Sequence, residues 1–128
     1  MLAETIDSLR ARHWVHRRHL EVLKDRQITL DRRQQQHYGA HIRASDNLAL
    51  FDLYLNQAPR GLPRTWAHTG ERRRRQELLL RVSRQAIAAT QEAEKRVSRE
   101  IALHTRELER LQQDLAVFRL LQAVGLSF

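Results

Sequence analysis

Apolar side chains in the first half of the chain recur at alternating steps of three and four residues. The sixteen positions reached in this way are Ile6, Leu9, His13, His16, Leu20, Leu23, Gln27, Leu30, Gln34, His37, His41, Ala44, Leu48, Phe51, Leu55 and Ala58. Eight of them are Leu, Ile or Phe, whereas only four of the other 40 residues between 3 and 58 are. A repeat of this length predicts a long helix that packs one narrow stripe, the first seam, against another helix.

A second stripe follows in the other half of the chain. Its expected positions are Leu79, Val82, Ala86, Ala89, Ala93, Val97, Ile101, His104, Leu108, Leu111, Leu115 and Phe118. Two successive steps of four around Val97 add one residue to the repeat, which predicts a local loosening of the supercoil. Pairing residues whose numbers add to about 130 places Leu48 opposite Val82 and His41 opposite Ala89, so that large side chains face small ones.

Proline and glycine separate the two stripes. The residue before Pro59 is disfavoured in a helix, so the first helix should end there, and Gly125 should stop the second. The predicted fold is all-α: a long antiparallel two-helix coiled-coil hairpin with a mid-chain loop. Its single domain of 1–128 consists of a first arm at 3–57, a loop at 58–70, a second arm at 71–124 and a tail at 125–128. Gly39 and Ser45 leave open a kink or break between 39 and 46.

Composition supports this interpretation and narrows the function. The chain has 128 residues, no cysteine, two prolines and 5% aromatic residues, which is typical of long helices and excludes disulfides and thiolate metal sites. No run of 18 apolar residues and no signal-peptide pattern is present, so we expect a cytoplasmic protein without membrane insertion. The net charge of +8 comes from 21 arginines and two lysines. Interspersed acidic residues favour a solvated coiled-coil surface, although arginine also binds phosphates.

Arginines cluster around the expected loop and form a candidate binding site, the basic tip. Its residues are Arg60, Arg64, Trp66, Arg72, Arg73, Arg74 and Arg75. Positive charges beside a helix N-terminus oppose the helix dipole, which suggests that they are there for binding. An acidic protein surface is one candidate partner, and a nucleic-acid backbone with Trp66 stacked on a base is the other.

Several apolar residues lie off both stripes. Near the tip these are Leu50, Leu53, Tyr54, Leu78 and Leu80, which either form a homodimer contact, bind a partner or are covered by the loop. Trp14, Val15 and the tail Val124–Phe128 form a second candidate contact zone at the other end.

Histidines at 13 and 16, and at 37 and 41, have spacings that can ligate zinc or nickel. Neither pair has a third ligand on its face, so we interpret them as polar layers of the coiled coil and expect no metal. No catalytic motif and no cofactor motif is found, so we expect no enzyme activity, no catalytic residue and no cofactor.

The stretch Leu23–Gln36 and the arm from Glu92 to Leu115, on a hairpin with Gln- and Arg-rich heptads, resemble the small stalk proteins of type III secretion and flagellar export, the FliJ/YscO-type family. The resemblance implies a coiled-coil stalk that couples a hexameric export ATPase to an export-gate protein, contacting the ATPase through its two termini. It implies protein transport without any catalytic residue in the stalk. Gly39 and the histidine-rich stripe depart from what the family leads one to expect.

Two alternatives come from the residues themselves. One is a basic helical nucleic-acid-binding accessory factor, such as a primosome, relaxosome or ribonucleoprotein small subunit, which would bind phosphates through Arg72, Arg73, Arg74 and Arg75. The other is a plain scaffold or oligomerisation subunit.

Overall fold

The computed structural model describes the backbone of residues 2–57 and 63–125 and the side chains of 5–54 and 70–125. It contains two helices, α1 at Leu2–Gln57 and α2 at Pro63–Ala123, and no strand within those ranges. The helices pack against each other, and the predicted all-α helical hairpin is confirmed. Neither helix, over the part described, is apolar enough to cross a bilayer.

The ends of the helices follow local chemistry. The helix α1 is continuous through 39–46, so the break that Gly39 and Ser45 left open does not occur there. The second helix begins at Pro63, eight residues before the predicted start, because proline has a fixed φ that suits the first position of a helix. At the other end, Gly125 adopts a φ of 78°, and its amide donates to the carbonyl of Gln122 over 3.0 Å. That left-handed conformation is one that glycine adopts without steric cost.

Contacts divide the hairpin into two units, which we describe separately. The terminal unit comprises Met1–Thr29 and Glu94–Phe128, and the central unit comprises Leu30–Ala93. Both contain a segment of α1 packed on a segment of α2, since the first seam continues through both. All of its described positions, from Ile6 to Phe51, are buried or half-buried.

The terminal unit has an apolar core. Ile6, Leu9, Leu111 and Leu115 form one buried cluster, against which Phe118 packs. Leu111 is only 2% exposed. Burying a leucine side chain contributes about 1.5–3 kcal/mol, so this cluster supplies much of the stability of the unit.

The central unit is held together by polar groups to a larger extent. Gln34, Ser83 and Thr90 are its buried polar residues within the described part, beside the buried Leu30 and Ala44. The side-chain amide of Gln34 donates to the backbone carbonyl of Ile87 over 3.1 Å. Polar layers of this kind select register in coiled coils at a cost in stability.

The second seam differs from the prediction over its first half. It coincides with the predicted stripe from Val97 to Phe118. Before Val97, the positions that continue its steps of three and four are Arg73, Gln76, Leu80, Ser83, Ile87, Thr90 and Glu94, all buried or half-buried, and the predicted Ala86 and Ala93 are half-buried beside them. Leu79 and Val82, expected in the seam, are 47% and 51% exposed. The steps of three and four are unbroken, so the predicted insertion around Val97 is also wrong. The apolar stripe at 79–93 lies beside the seam and not within it.

The pairing of the helices is shifted by about one heptad. His41 contacts Ser83 and not Ala89, and Leu9 lies in the cluster with Leu111 and not near Leu121. Partners in an antiparallel hairpin are centred on the connection between the helices. Because α2 begins at Pro63 and not at residue 71, each residue of α1 contacts a residue of α2 that has a lower number than predicted. A heptad pattern alone tolerates such a shift, since seam still faces seam.

We expect Gln34→Leu to raise the free energy of unfolding by about 1–2 kcal/mol. The Oε1 atom of Gln34 is buried and has no hydrogen-bond partner among the described residues, and leucine would remove that unpaired group. Urea unfolding followed by circular dichroism measures the change. The matched control is Gln35→Leu at an exposed neighbouring position, which should shift stability by less than about 0.5 kcal/mol. Equal effects of the two substitutions would contradict the prediction.

Candidate protein-interaction sites

Of the basic tip, the structure describes the second half. Arg60 lies outside the described residues, and the side chains of Arg64 and Trp66, both within α2, lie outside the described side chains. Arg72, Arg74 and Arg75 are exposed, and none of them forms an ion pair with a described side chain. These three arginines are therefore available to a partner.

Arg73 differs from its neighbours because the hairpin itself uses it. Its guanidinium donates to Asp52 on α1 and, over 3.2 Å, to Glu77 one turn further along α2. These two hydrogen bonds, that to Asp52 first, raise the pKa of the Arg73 side chain above its ordinary value. Arg73 was expected to bind a partner, but it occupies a seam position and contacts residues of the hairpin itself.

The arginines of the basic tip do not oppose the helix dipole in the way that the sequence suggested. The helix dipole acts mainly within the first turn, and α2 begins at Pro63. Arg72 lies more than two turns inside the helix, so its charge does not oppose the N-terminus. What distinguishes the site is the exposure of three clustered arginines.

Apolar side chains near the tip are exposed, as a contact surface requires. Leu50, Leu53 and Tyr54 on α1 are 62%, 55% and 48% exposed. On α2, Leu78 is exposed and Leu80 is half-buried in the seam. Leu79 and Val82 join the exposed set, and sequence reasoning missed them because their spacing equals that of a seam.

The terminal unit has a basic cleft that sequence reasoning also missed. Its volume is about 480 Å³, and the side chains around it include Arg10, His13, Arg17 and Arg119. An adjoining cleft of about 390 Å³ adds Lys24 and a single carboxylate, that of Glu21. The signal was present in the sequence, since Arg10, Arg17 and Lys24 follow one another at intervals of seven beside the first seam.

Trp14 at the edge of this cleft is 62% exposed, and the guanidinium of Arg18 lies 5.9 Å from its ring centroid. Arg18 also pairs with Glu21 over 3.3 Å. Val15 and Val124 are exposed in the same unit, while the last three residues of the tail lie outside the described part.

Three histidines meet in the terminal unit. The Nδ1 atoms of His16 and His104 lie 2.8 Å apart, so one ring donates to the other. His19 stacks on His104 with ring centroids 5.2 Å apart. No group of three or more His, Cys, Asp or Glu side chains among the described residues is arranged to hold a metal ion. The cluster is a polar layer between the helices.

In the central unit, a hydrogen bond joins His41 to α2. The Nδ1 atom of His41 lies 3.2 Å from the Ser83 hydroxyl, and that hydroxyl lies 2.9 Å from the carbonyl of Leu80. The hydroxyl group of Ser83 therefore links the two helices.

Comparison with known proteins adds no further constraint. The chain matches no protein-family model, no curated protein and no solved structure. The surfaces that bear most directly on function are the exposed part of the basic tip and the apolar side chains beside it.

Proposed function

We propose that this chain is a non-enzymatic coiled-coil stalk or adaptor protein of the cytoplasm, and that it couples a type III secretion export ATPase to the export gate. The observation that carries the adaptor role is the set of exposed arginines next to exposed apolar side chains on a helical hairpin. Arg72, Arg74 and Arg75 form no ion pair with any side chain that the structure describes. A surface that combines charge and apolar area without an internal use is typical of a protein-binding site.

The specific stalk role is supported by the resemblance in architecture. Two long helices joined near the middle of the chain are the form that the stalk family has. The terminal unit, with its apolar core, is the part that we assign to the ATPase. The central unit, which includes the basic tip, is left for the export gate or another partner.

A direct test measures ATP hydrolysis by the export ATPase of the same organism with and without the full chain. We expect a several-fold stimulation by the wild-type chain. The variant Arg72→Gln, Arg74→Gln and Arg75→Gln should still stimulate the ATPase but should lose binding to the purified export-gate protein. Arg73 is kept because of its contacts with Asp52 and Glu77. The matched control replaces three exposed arginines of α2 elsewhere, Arg81, Arg84 and Arg99.

The net charge of +8 favours a second candidate function, nucleic-acid binding. The salt dependence of the affinity for the partner distinguishes it from the stalk role. A nucleic-acid partner would show a log–log slope of affinity against salt that becomes shallower by up to about three units in the triple variant. An acidic protein would respond more weakly, mainly in the association rate. Absence of ATPase stimulation together with steep, salt-sensitive DNA binding would sink the stalk proposal.

A further inference from the structure

The central unit exposes an apolar stripe that has the spacing of a coiled-coil seam but no partner helix among the described residues. On α2 it consists of Leu79, Val82, Ala86 and Ala89, at steps of three, four and three residues. Leu79 and Val82 are about half exposed, Ala89 is exposed and Ala86 is half-buried. This stripe lies directly beside the buried Ser83 and the half-buried Leu80 and Ile87, so it borders the contact between the helices.

The first helix contributes to the same side of the unit. A row of residues borders the seam on each side, and we call these two rows its flanks. In an antiparallel pair, each flank of one helix lies next to the corresponding flank of the other helix. On one flank, Gln91 contacts the hydroxyl of Tyr38 over 3.4 Å. On the other, Asn47 donates to Gln76 over 3.2 Å. Heptad spacing places three apolar residues of α1 on the Asn47 side, and these are Ala40, Leu50 and Tyr54.

The stripe at Leu79 falls on that same side, because Leu79 immediately precedes a seam position of α2 just as Asn47 immediately precedes one of α1. Residues one heptad away lie on this side too, which are Arg72 on α2 and Ala40 and Tyr54 on α1. We call this surface of the central unit the Leu79 flank. It combines side chains of both helices, with small alanines in the middle and larger Leu, Val and Tyr residues towards the tip.

Charge on the Leu79 flank has one sign only. The charged residues at its heptad positions within 30–93 are Arg33, Arg43, Arg72 and Arg75. The acidic residues next to the seam lie on the opposite flank and are Asp31, Asp52 and Glu77, the last two of which contact Arg73. Within the described part of the central unit, the charged side chains at the heptad positions of this flank are therefore all arginines, whereas the nearby carboxylates Asp46, Glu71 and Glu92 lie at exposed positions further from the seam.

We propose that the Leu79 flank binds one acidic amphipathic helix of a partner protein. The heptad spacing of the stripe fits the apolar face of a helix, and carboxylates at the edges of that helix would pair with Arg43, Arg72 and Arg75. A second copy of this chain would bring its own arginines to the contact and be repelled. A nucleic acid would use the arginines but leave the apolar stripe exposed to water. The proposal rests on the adaptor function and identifies the chemistry of the partner.

The test uses the full chain and a synthetic helical peptide of four heptads with Leu in its seam and Glu on both flanks. We expect it to bind the wild-type chain in isothermal titration calorimetry. Leu79→Gln with Val82→Gln should weaken binding at least about tenfold, because two apolar contacts are lost at exposed sites that the fold does not need. Arg72→Gln with Arg75→Gln should weaken it several-fold and flatten its salt dependence.

Matched controls keep the test specific. Val117→Gln with Leu120→Gln removes two apolar residues exposed to a similar extent in the terminal unit, and Arg81→Gln with Arg84→Gln removes two exposed arginines from other faces of α2. Both control variants should bind like the wild type. A peptide with Lys in place of Glu should not bind.

Four outcomes would overturn the proposal: no binding of the acidic peptide, equal binding by the Leu79→Gln and Val82→Gln variant, binding of the Lys peptide, or a dimer that this variant dissociates in analytical ultracentrifugation. In the last case the occupant is a second copy. None of these outcomes affects ATPase stimulation, so failure of this proposal is distinguishable from failure of the stalk role.

Discussion

Replacing Leu111 by alanine should lower the free energy of unfolding by about 2–4 kcal/mol. Leu111 is the largest fully buried side chain among the described residues, and it contacts the cluster formed by Ile6, Leu9 and Leu115. Alanine would remove three carbon atoms and leave a cavity in the buried cluster. A loss of this size is a large part of the stability of a typical small domain.

Urea unfolding followed at 222 nm measures the loss. Leu103→Ala is the matched control, because Leu103 is on the same helix, eight residues away, and is 61% exposed. It should change stability by less than about 0.5 kcal/mol. If both variants lose the same amount, the cluster is not the core of the terminal unit.

The sequence predicts the first seam because the apolar residues of α1 leave little choice. Leu20, Leu23 and Leu30 have mostly polar neighbours in the sequence. Because these leucines lie on one face of the helix, they determine which face is buried. The same logic holds on α2 from Val97 to Phe118, where apolar residues again coincide with the buried positions.

It fails on α2 before Val97 because two stripes compete there. Leu79 and Val82 are more apolar than Arg73, Gln76, Ser83 and Thr90, yet the latter are in the seam. The polar stripe gains from hydrogen bonds between the helices, such as that between His41 and Ser83. Those bonds depend on pairing, which a single sequence does not reveal. Steady helical periodicity extended backwards from Val97 would have indicated the observed seam.

The candidate binding sites could also be predicted only in part from the sequence. The exposure of Arg72, Arg74 and Arg75 was predictable from charge, whereas the use of Arg73 by Asp52 depends on the register of the helices. Register in turn depends on where α2 starts, and Pro63 was interpreted as part of a loop. The Leu79 flank became recognisable as a surface only when its residues proved to lie outside the seam.

Acidification from about pH 7.5 to about pH 5 should destabilise the terminal unit through His104. Burial and the neighbouring charges of His16 and His19 lower the pKa of His104, against the opposing effect of Glu100 and Glu107. The unfolded chain then binds a proton more readily than the folded chain. Stability is therefore full above the ordinary histidine value of about 6.5 and is lost as the pH falls below it, down to the lowered pKa of the folded state. The loss is about 1.4 kcal/mol for each unit by which the pKa is lowered.

The contact between His16 and His104 makes this effect specific. At a separation of 2.8 Å their Nδ1 atoms share one hydrogen, and protonation of His104 would place a positive charge between the helices, next to His16 and His19. Thermal unfolding at several pH values measures the dependence. The variant His104→Leu keeps the layer filled, and we expect its melting temperature to fall less on acidification than that of the wild type. The control His37→Leu changes a half-buried histidine of the central unit and leaves the His104 contribution in place. Parallel curves for the wild type and His104→Leu would show that the histidine layer does not control the acid response.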